Sequence, residues 1–143
     1  MTIQNDRELK EILTSVKTIA SVGASYNPEK VSYGVVVYLI EHGYHVIPVN
    51  PAAFDILGEK SYPDLASIPE KVDVVQVFRR PEDVPPVVEA AIQVGAKVVW
   101  MQEGIVNEEA AMKAQAAVLK VVMDRCMMKT HRRLISESLT ALR

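Results

Sequence analysis

Residues 18–33 read TIASVGASYNPEKVSY, and this stretch decides the fold. An apolar run over residues 19–22 stops at Gly23. A short loop follows with Ala24, Ser25, Asn27, Pro28 and Lys30, and a second apolar run extends over residues 35–40. The pattern is that of a buried strand, a tight turn of small residues and the opening of a helix. The first turn of a helix leaves backbone N–H groups without partners, and the helix dipole puts partial positive charge there. Such a junction is a seat for a phosphate. Lys30 adds a full positive charge to the same loop.

Working outward, the chain alternates between the two periodicities. Upstream, Asn5 or Asp6 caps a helix running through Ser15, with Leu9, Ile12, Leu13 and Val16 at helical spacing. Downstream, the helix that Ser32 opens runs to His42 and Gly43 ends it. A strand over 45–49 stops at Asn50-Pro51. Residues 52–69 hold Gly58, Pro63 and Pro69 and read as a loop with short structure. Residues 72–78, VDVVQVF, form a near-continuous apolar run of the buried parallel kind. Pro81-Glu82-Asp83 opens a helix through Val94. Strands over 97–101 and 119–123 flank a helix capped by Asn107, with Glu108 and Glu109 in its first turn. The chain from Arg125 onward reads as a short surface helix. Repeated units of this length require parallel strands with right-handed crossovers. The expected architecture is one α/β domain: an open, doubly wound, five-stranded parallel sheet with helices on both faces.

Composition narrows the function classes. The chain has 143 residues, a net charge of −2 and 49% hydrophobic residues, the balance of a single globular domain. Nothing in that charge recruits nucleic acid or an anionic membrane, and no basic stripe appears. The single cysteine, Cys126, cannot form an intramolecular disulfide and fits a reducing, cytoplasmic compartment. No charged start leads into a long apolar stretch, so neither a signal peptide nor a membrane span is expected.

Open α/β sheets bind ligands beyond the carboxyl ends of their strands, where strand order reverses. That rule selects residues 23–30, Asn50-Pro51, Arg79-Arg80, Gln102-Glu103-Gly104 and residues 124–126. A dinucleotide fingerprint needs three glycines in the first turn and an acid ending the second strand. Here the turn reads Gly23-Ala24-Ser25, and Asn50-Pro51 stands where the acid belongs. A phosphate-binding loop of the G-x-x-x-x-G-K-[ST] type is missing too. The edge offers Lys30, Arg79 and Arg80 instead, and arginine grips phosphate through two hydrogen bonds. A ligand with several phosphates suits it better than a nicotinamide ribose.

The blocks VGAS with Pro28 and Lys30, YLIEHGYHVIPVNP, VDVVQVFRRPEDVP and AKVVWMQEGIVNEEA resemble the stand-alone prokaryotic CoA-binding protein family. That family is similar to the N-terminal domain of the succinyl-CoA synthetase alpha subunit. The resemblance covers nearly all of residues 18–131 and leaves 132–143 as a C-terminal tail. It implies a Rossmann-like domain that binds coenzyme A or an acyl-CoA non-covalently, with no assigned reaction. On this resemblance Gly23, Ala24 and Ser25 let the backbone approach the phosphates, and Lys30 neutralises one. Ser32 either binds or merely caps its helix. Asn50 and Pro51 match the ending of the second strand. The synthetase-like pattern has a lysine just after this proline, where Ala52-Ala53 stand here, so the phosphate contacts fall more on Lys30 and the arginines.

Phe78, Arg79 and Arg80 match the family's pair after the third strand, an apolar ring beside a guanidinium that suits an adenine face and a phosphate. Met101, Gln102 and Glu103 lie where the pantetheine arm passes, and Trp100 reads as core. His42 and His45 read as surface residues away from the ligand edge, and His131 lies nearer to it. No cluster of metal-ligand type appears. The reading is a binding protein without its own catalysis, in a regulatory, carrier or storage role. The alternatives are a CoA-dependent enzyme or acyl-CoA synthetase subunit, and an NAD(H)-sensing regulator. Cys126, with Arg125 and Lys129 beside it in sequence, reads either as an inert buried thiol or as a site for a mixed disulfide with CoA. Leu134, Ile135, Leu139 and Leu142 are candidates for packing on the domain or on a second copy of the chain.

Overall fold

Asn5 starts the first helix: its side-chain oxygen accepts from the Glu8 N–H at 2.9 Å. Helix α1 (Asp6–Ser15) leads into β1 (Thr18–Val22), α2 (Val31–Glu41) and β2 (His45–Val49). A small antiparallel hairpin follows, β3 (Asp55–Ile56) with β4 (Glu59–Lys60), and then a single 3₁₀ turn at Leu65–Ser67. The second half comprises β5 (Val74–Val77), α3 (Val84–Gln93), β6 (Val98–Met101), α4 (Glu108–Ala116), β7 (Lys120–Val122) and α5 (Met127–His131). These elements come from a computed structural model, which describes residues 2–137.

The five long strands form one parallel sheet in the order β2-β1-β5-β6-β7. The chain leaves β1 for β2 on one side and then crosses to β5 on the other. Strand order therefore reverses between β1 and β5, and the crevice of a doubly wound sheet opens at that point. Alternation along each strand sends side chains to two separate cores. Ala20, Val22, Val75, Val77 and Met101 pack under α3 and α4. Ile19, Val46, Val74 and Trp100 pack under α1, α2 and α5. Trp100 is fully buried, and truncation of such a side chain typically costs about 3–5 kcal/mol. Its indole N–H donates to the Arg125 carbonyl at 2.8 Å, which fixes the chain where it turns into α5.

Several boundaries differ from the sequence reading. The strands expected at 72–78, 97–101 and 119–123 are shorter at their ends, although the ladder persists in single bonds: the Asp73 N–H donates to Thr18 and the Phe78 N–H to Val22. The helix expected from Pro81 opens as a 3₁₀ turn at Pro81–Asp83 before α3 begins. Ser32 is not the cap of α2. Lys30 occupies that position without a side-chain hydrogen bond, and Ser32 is buried within the first turn. Asn107 does cap α4, accepting from the Ala110 N–H at 2.9 Å, and its amide also donates to the Pro81 carbonyl. The chain beyond Arg125 forms α5 and continues without a break into a π-helical turn at Arg132–Ser136. There Leu134 and Ile135 pack against the α1–α2 core, while Leu139 and Leu142 lie outside the described residues.

Candidate functional site at the carboxyl edge of the sheet

Gly23 ends β1 with φ +91°, a left-handed conformation that favours glycine. An added Cβ would run into the carbonyl oxygen of Phe78, the residue that follows β5. The two loops flanking the switch point therefore touch backbone to backbone. The Gly23 N–H donates to Val49 at the end of β2, so three strand ends are tied together here.

The loop after β1 is held by its own polar side chains. The Ser25 hydroxyl accepts from the Asn27 N–H at 3.0 Å, and Asn27 accepts from the Glu29 N–H at 3.0 Å. Ala24 is buried beneath them. Asn50 spans the gap to the next loop: its amide donates to the Ala24 carbonyl and its oxygen accepts from the Ala52 N–H, both at 2.9 Å. Asn50 thus shapes the wall of the crevice, with both ends of its side chain engaged. Pro51 is exposed beside it. Ser61 braces the far side, donating to Ala52 and accepting from the Phe54 N–H.

The cations divide into two kinds. Lys30 is exposed at the start of α2 and Arg79 is half-buried after β5, and neither has an ion-pair partner among the described residues. Arg80 is 75% exposed and already engaged, with its Nε 3.1 Å from Asp83 and Glu82 at 4.0 Å. Lys30 and Arg79 are therefore the edge cations available to an anion.

Below Arg79 lies a cavity of about 340 Å³, lined by Val22 and Val49 at two strand ends, Leu65, and Val87 and Ala90 of α3. Its lining is largely apolar, with Asp64 and Asp83 at its margin. Asp64 is occupied as the cap of its own turn, accepting from the Ser67 N–H and hydroxyl.

The residues after β6 are committed elsewhere. Met101 is fully buried in the α3–α4 core. Gln102 is 3% exposed, and its oxygen accepts from Gln76 at 3.2 Å and from the Met127 N–H at 3.0 Å. It therefore anchors α5 to the sheet. Glu103 is exposed and pairs with Lys129 at 2.9 Å. Phe78 is partly buried against the α1–α2 core. Cys126 is buried at the start of α5.

The histidines sit apart from this edge. His45 opens β2 at the opposite end, between Glu59 at 3.5 Å and Glu70 at 3.0 Å. His42 is exposed at the end of α2, and His131 is buried where α5 lies on α2. Among the described residues, no group of His, Cys, Asp and Glu is arranged to hold a metal ion, and no helix is long and apolar enough to cross a membrane.

A profile described as the CoA binding domain matches residues 17–132. This chain belongs to the CoA-binding domain family. It is 41% identical to the uncharacterized protein YneT of Bacillus subtilis over 124 residues, covering 87% of this chain and 92% of that one. It is 37% identical over 95 residues to the ADP-forming acetate–CoA ligase I subunit alpha of Pyrococcus furiosus, which covers 62% of this chain but only 21% of that subunit. Among solved structures, a hypothetical protein from Pyrococcus horikoshii superposes with a TM-score of 0.89 at 47% identity, covering 94% of this chain and 96% of the other.

Within this CoA-binding domain, three features had no sequence signal of their own. The cavity needs Leu65, which lies far in sequence from the strand-end motifs, brought against one face of α3. The anchoring by Gln102 depends on α5 returning to the sheet. A contact between Tyr26 and Phe54, with rings 5.2 Å apart, joins the loop after β1 to the hairpin region.

Proposed function

We propose that this protein binds coenzyme A or an acyl-CoA non-covalently across the switch point of its sheet. The observation that carries the reading is two uncommitted cations, Lys30 and Arg79, on the two loops that meet at Gly23 where strand order reverses. Backbone N–H groups at the opening of α2 receive the phosphates. Lys30 supplies charge on one side and Arg79 a planar fork on the other. The largely apolar cavity that Arg79 helps to line has room for a purine base, on which the guanidinium can stack. Membership in the CoA-binding domain family supports the same ligand. On this reading the protein acts by binding, in a regulatory, carrier or storage role in the cytoplasm.

A second reading has its own support. The Pyrococcus furiosus relative is a ligase subunit, of which this chain matches about a fifth. On that reading the domain presents CoA to a separately encoded partner that performs the chemistry.

Calorimetric titration with CoA, acetyl-CoA, dephospho-CoA and NADH tests the proposal. Saturable binding of CoA, with NADH at equal concentration failing to displace it, supports it. No heat at millimolar CoA, or displacement by NADH, overturns it. Turnover of acyl-CoA by the isolated chain would replace the binding role with an enzymatic one.

A further inference from the structure

Helix α5 and its π-helical turn form one continuous strap, Met127–Ser136, laid across α2 and α1. His131 lies at its middle and is 5% exposed. Its Nδ1 is 2.9 Å from the hydroxyl of Tyr38 on α2. The Tyr38 ring stacks on His42 with centroids 3.9 Å apart. His131 meets the edges of His42 at 5.4 Å and Tyr44 at 5.6 Å. Arg132 lies over the outer part of the same cage, 5.2 Å from the Tyr38 centroid.

This is a poor place for a second positive charge. From α2 the ring faces Tyr38 and His42. From the turn before β2 it faces Tyr44, whose hydroxyl donates to the Leu13 carbonyl and whose burial, with Tyr38 nearby, pushes its pKa up to about 12. On α1, Asp6 has both of its oxygens taken by Arg133 of the strap, at 2.9 and 3.0 Å. On the strap itself Lys129 is taken by Glu103. No acid pairs with the His131 ring among the described residues. Burial first, and then His42, hold the His131 imidazole below its ordinary range.

We propose that Met127–Ser136 is an acid-released strap, held on α2 by a neutral His131 and freed when solvent protonates that imidazole. The sign follows from linkage. In the released strap the imidazole regains its ordinary affinity for a proton, so the released form binds protons more tightly than the docked form. Docking is complete above about pH 6.5 and weakens as pH falls below it. The Asp6–Arg133 pair responds only at lower pH: Arg133 holds the docked Asp6 carboxyl below its usual range, so its contribution is lost below about pH 4, outside the His131 window.

Cys126 reports the release. It is the only cysteine in the chain, sits at the amino end of the strap and is 6% exposed. The rate of its reaction with 4,4′-dithiodipyridine is measured from about pH 7.5 to about pH 5, as a ratio to the unfolded chain at each pH, with far-UV circular dichroism recorded alongside. The ratio is expected to rise by up to about tenfold per pH unit while His131 titrates, with the helical signal largely kept. In His131→Gln the ratio becomes independent of pH. In His42→Gln, which removes the neighbouring charge and still folds if His131→Gln does not, the rise is smaller, because the docked imidazole then lies closer to its ordinary range. A ratio that stays constant in the wild type, an equal rise in His131→Gln, or an undiminished rise in His42→Gln would each overturn the proposal.

Discussion

The Phe78 carbonyl oxygen fills the space where a side chain on residue 23 would begin. The loops after β1 and β5 therefore meet without any side chain between them, at the one place in the sheet where strand order reverses. A glycine at this position does two things at once: it permits φ +91° and it admits a neighbouring backbone. The crevice of the CoA-binding domain is framed by that contact.

Gly23→Ala should be costly for that reason. The left-handed conformation alone costs about 1–2 kcal/mol for a residue with a Cβ, and forcing two backbones apart adds about 1–3 kcal/mol. Gly43, with φ +96° and no atom within 4 Å of an added Cβ, is the matched control and should cost only the first amount. Urea unfolding of both variants measures the difference. Equal losses would show that the loops part freely.

Lys30→Ala and Arg79→Ala should weaken CoA binding about tenfold or more each, the usual worth of a charge-assisted hydrogen bond at about 1.5–3 kcal/mol. Arg80→Ala should change affinity by less than about threefold, because its guanidinium is spent on Asp83 and sits largely in water. All three should keep the wild-type melting temperature to within a few degrees. Calorimetry and differential scanning fluorimetry read the two quantities. An Arg80 effect as large as that of Arg79 would reassign the phosphate contact.

Asp73 should shape the acid limb of the stability curve. Burial raises its pKa, but the N–H groups of Thr18 and Lys17 at 3.0 and 2.9 Å, together with Lys97, outweigh it and the net shift is downward. A carboxyl depressed in the folded state contributes stability above its unfolded pKa of about 3.9 and loses it as pH falls through the lower folded value. The wild type should therefore lose stability steeply below about pH 4. Asp73→Asn should be less stable at neutral pH and flatter in that range. Chemical denaturation from about pH 2 to about pH 7 measures both slopes, and parallel slopes would contradict the assignment.

Much of the architecture was legible because its signals are local. An apolar run ending at Gly23, an Asn107 cap and a Pro81-Glu82-Asp83 opening each act within a few residues, so strand, turn and helix could be read directly. Boundaries were less legible. Ser32 has the right chemistry for a cap, yet α2 begins one residue before it and buries its hydroxyl. Gln102 read as a ligand residue because it follows a strand end, and its partners Gln76 and Met127 are distant in the chain.

The order of strands and turns, the family and the cationic character of the carboxyl edge were set down in the sequence itself, because period, capping and charge need no distant partner. Which cations stand uncommitted, that Asn50 braces one loop against another, and that His131 is enclosed by Tyr38, His42 and Tyr44 were decided only by tertiary structure. Those properties depend on who lies opposite across the fold, and hydrogen bonding and desolvation take their size from that neighbour rather than from position in the chain.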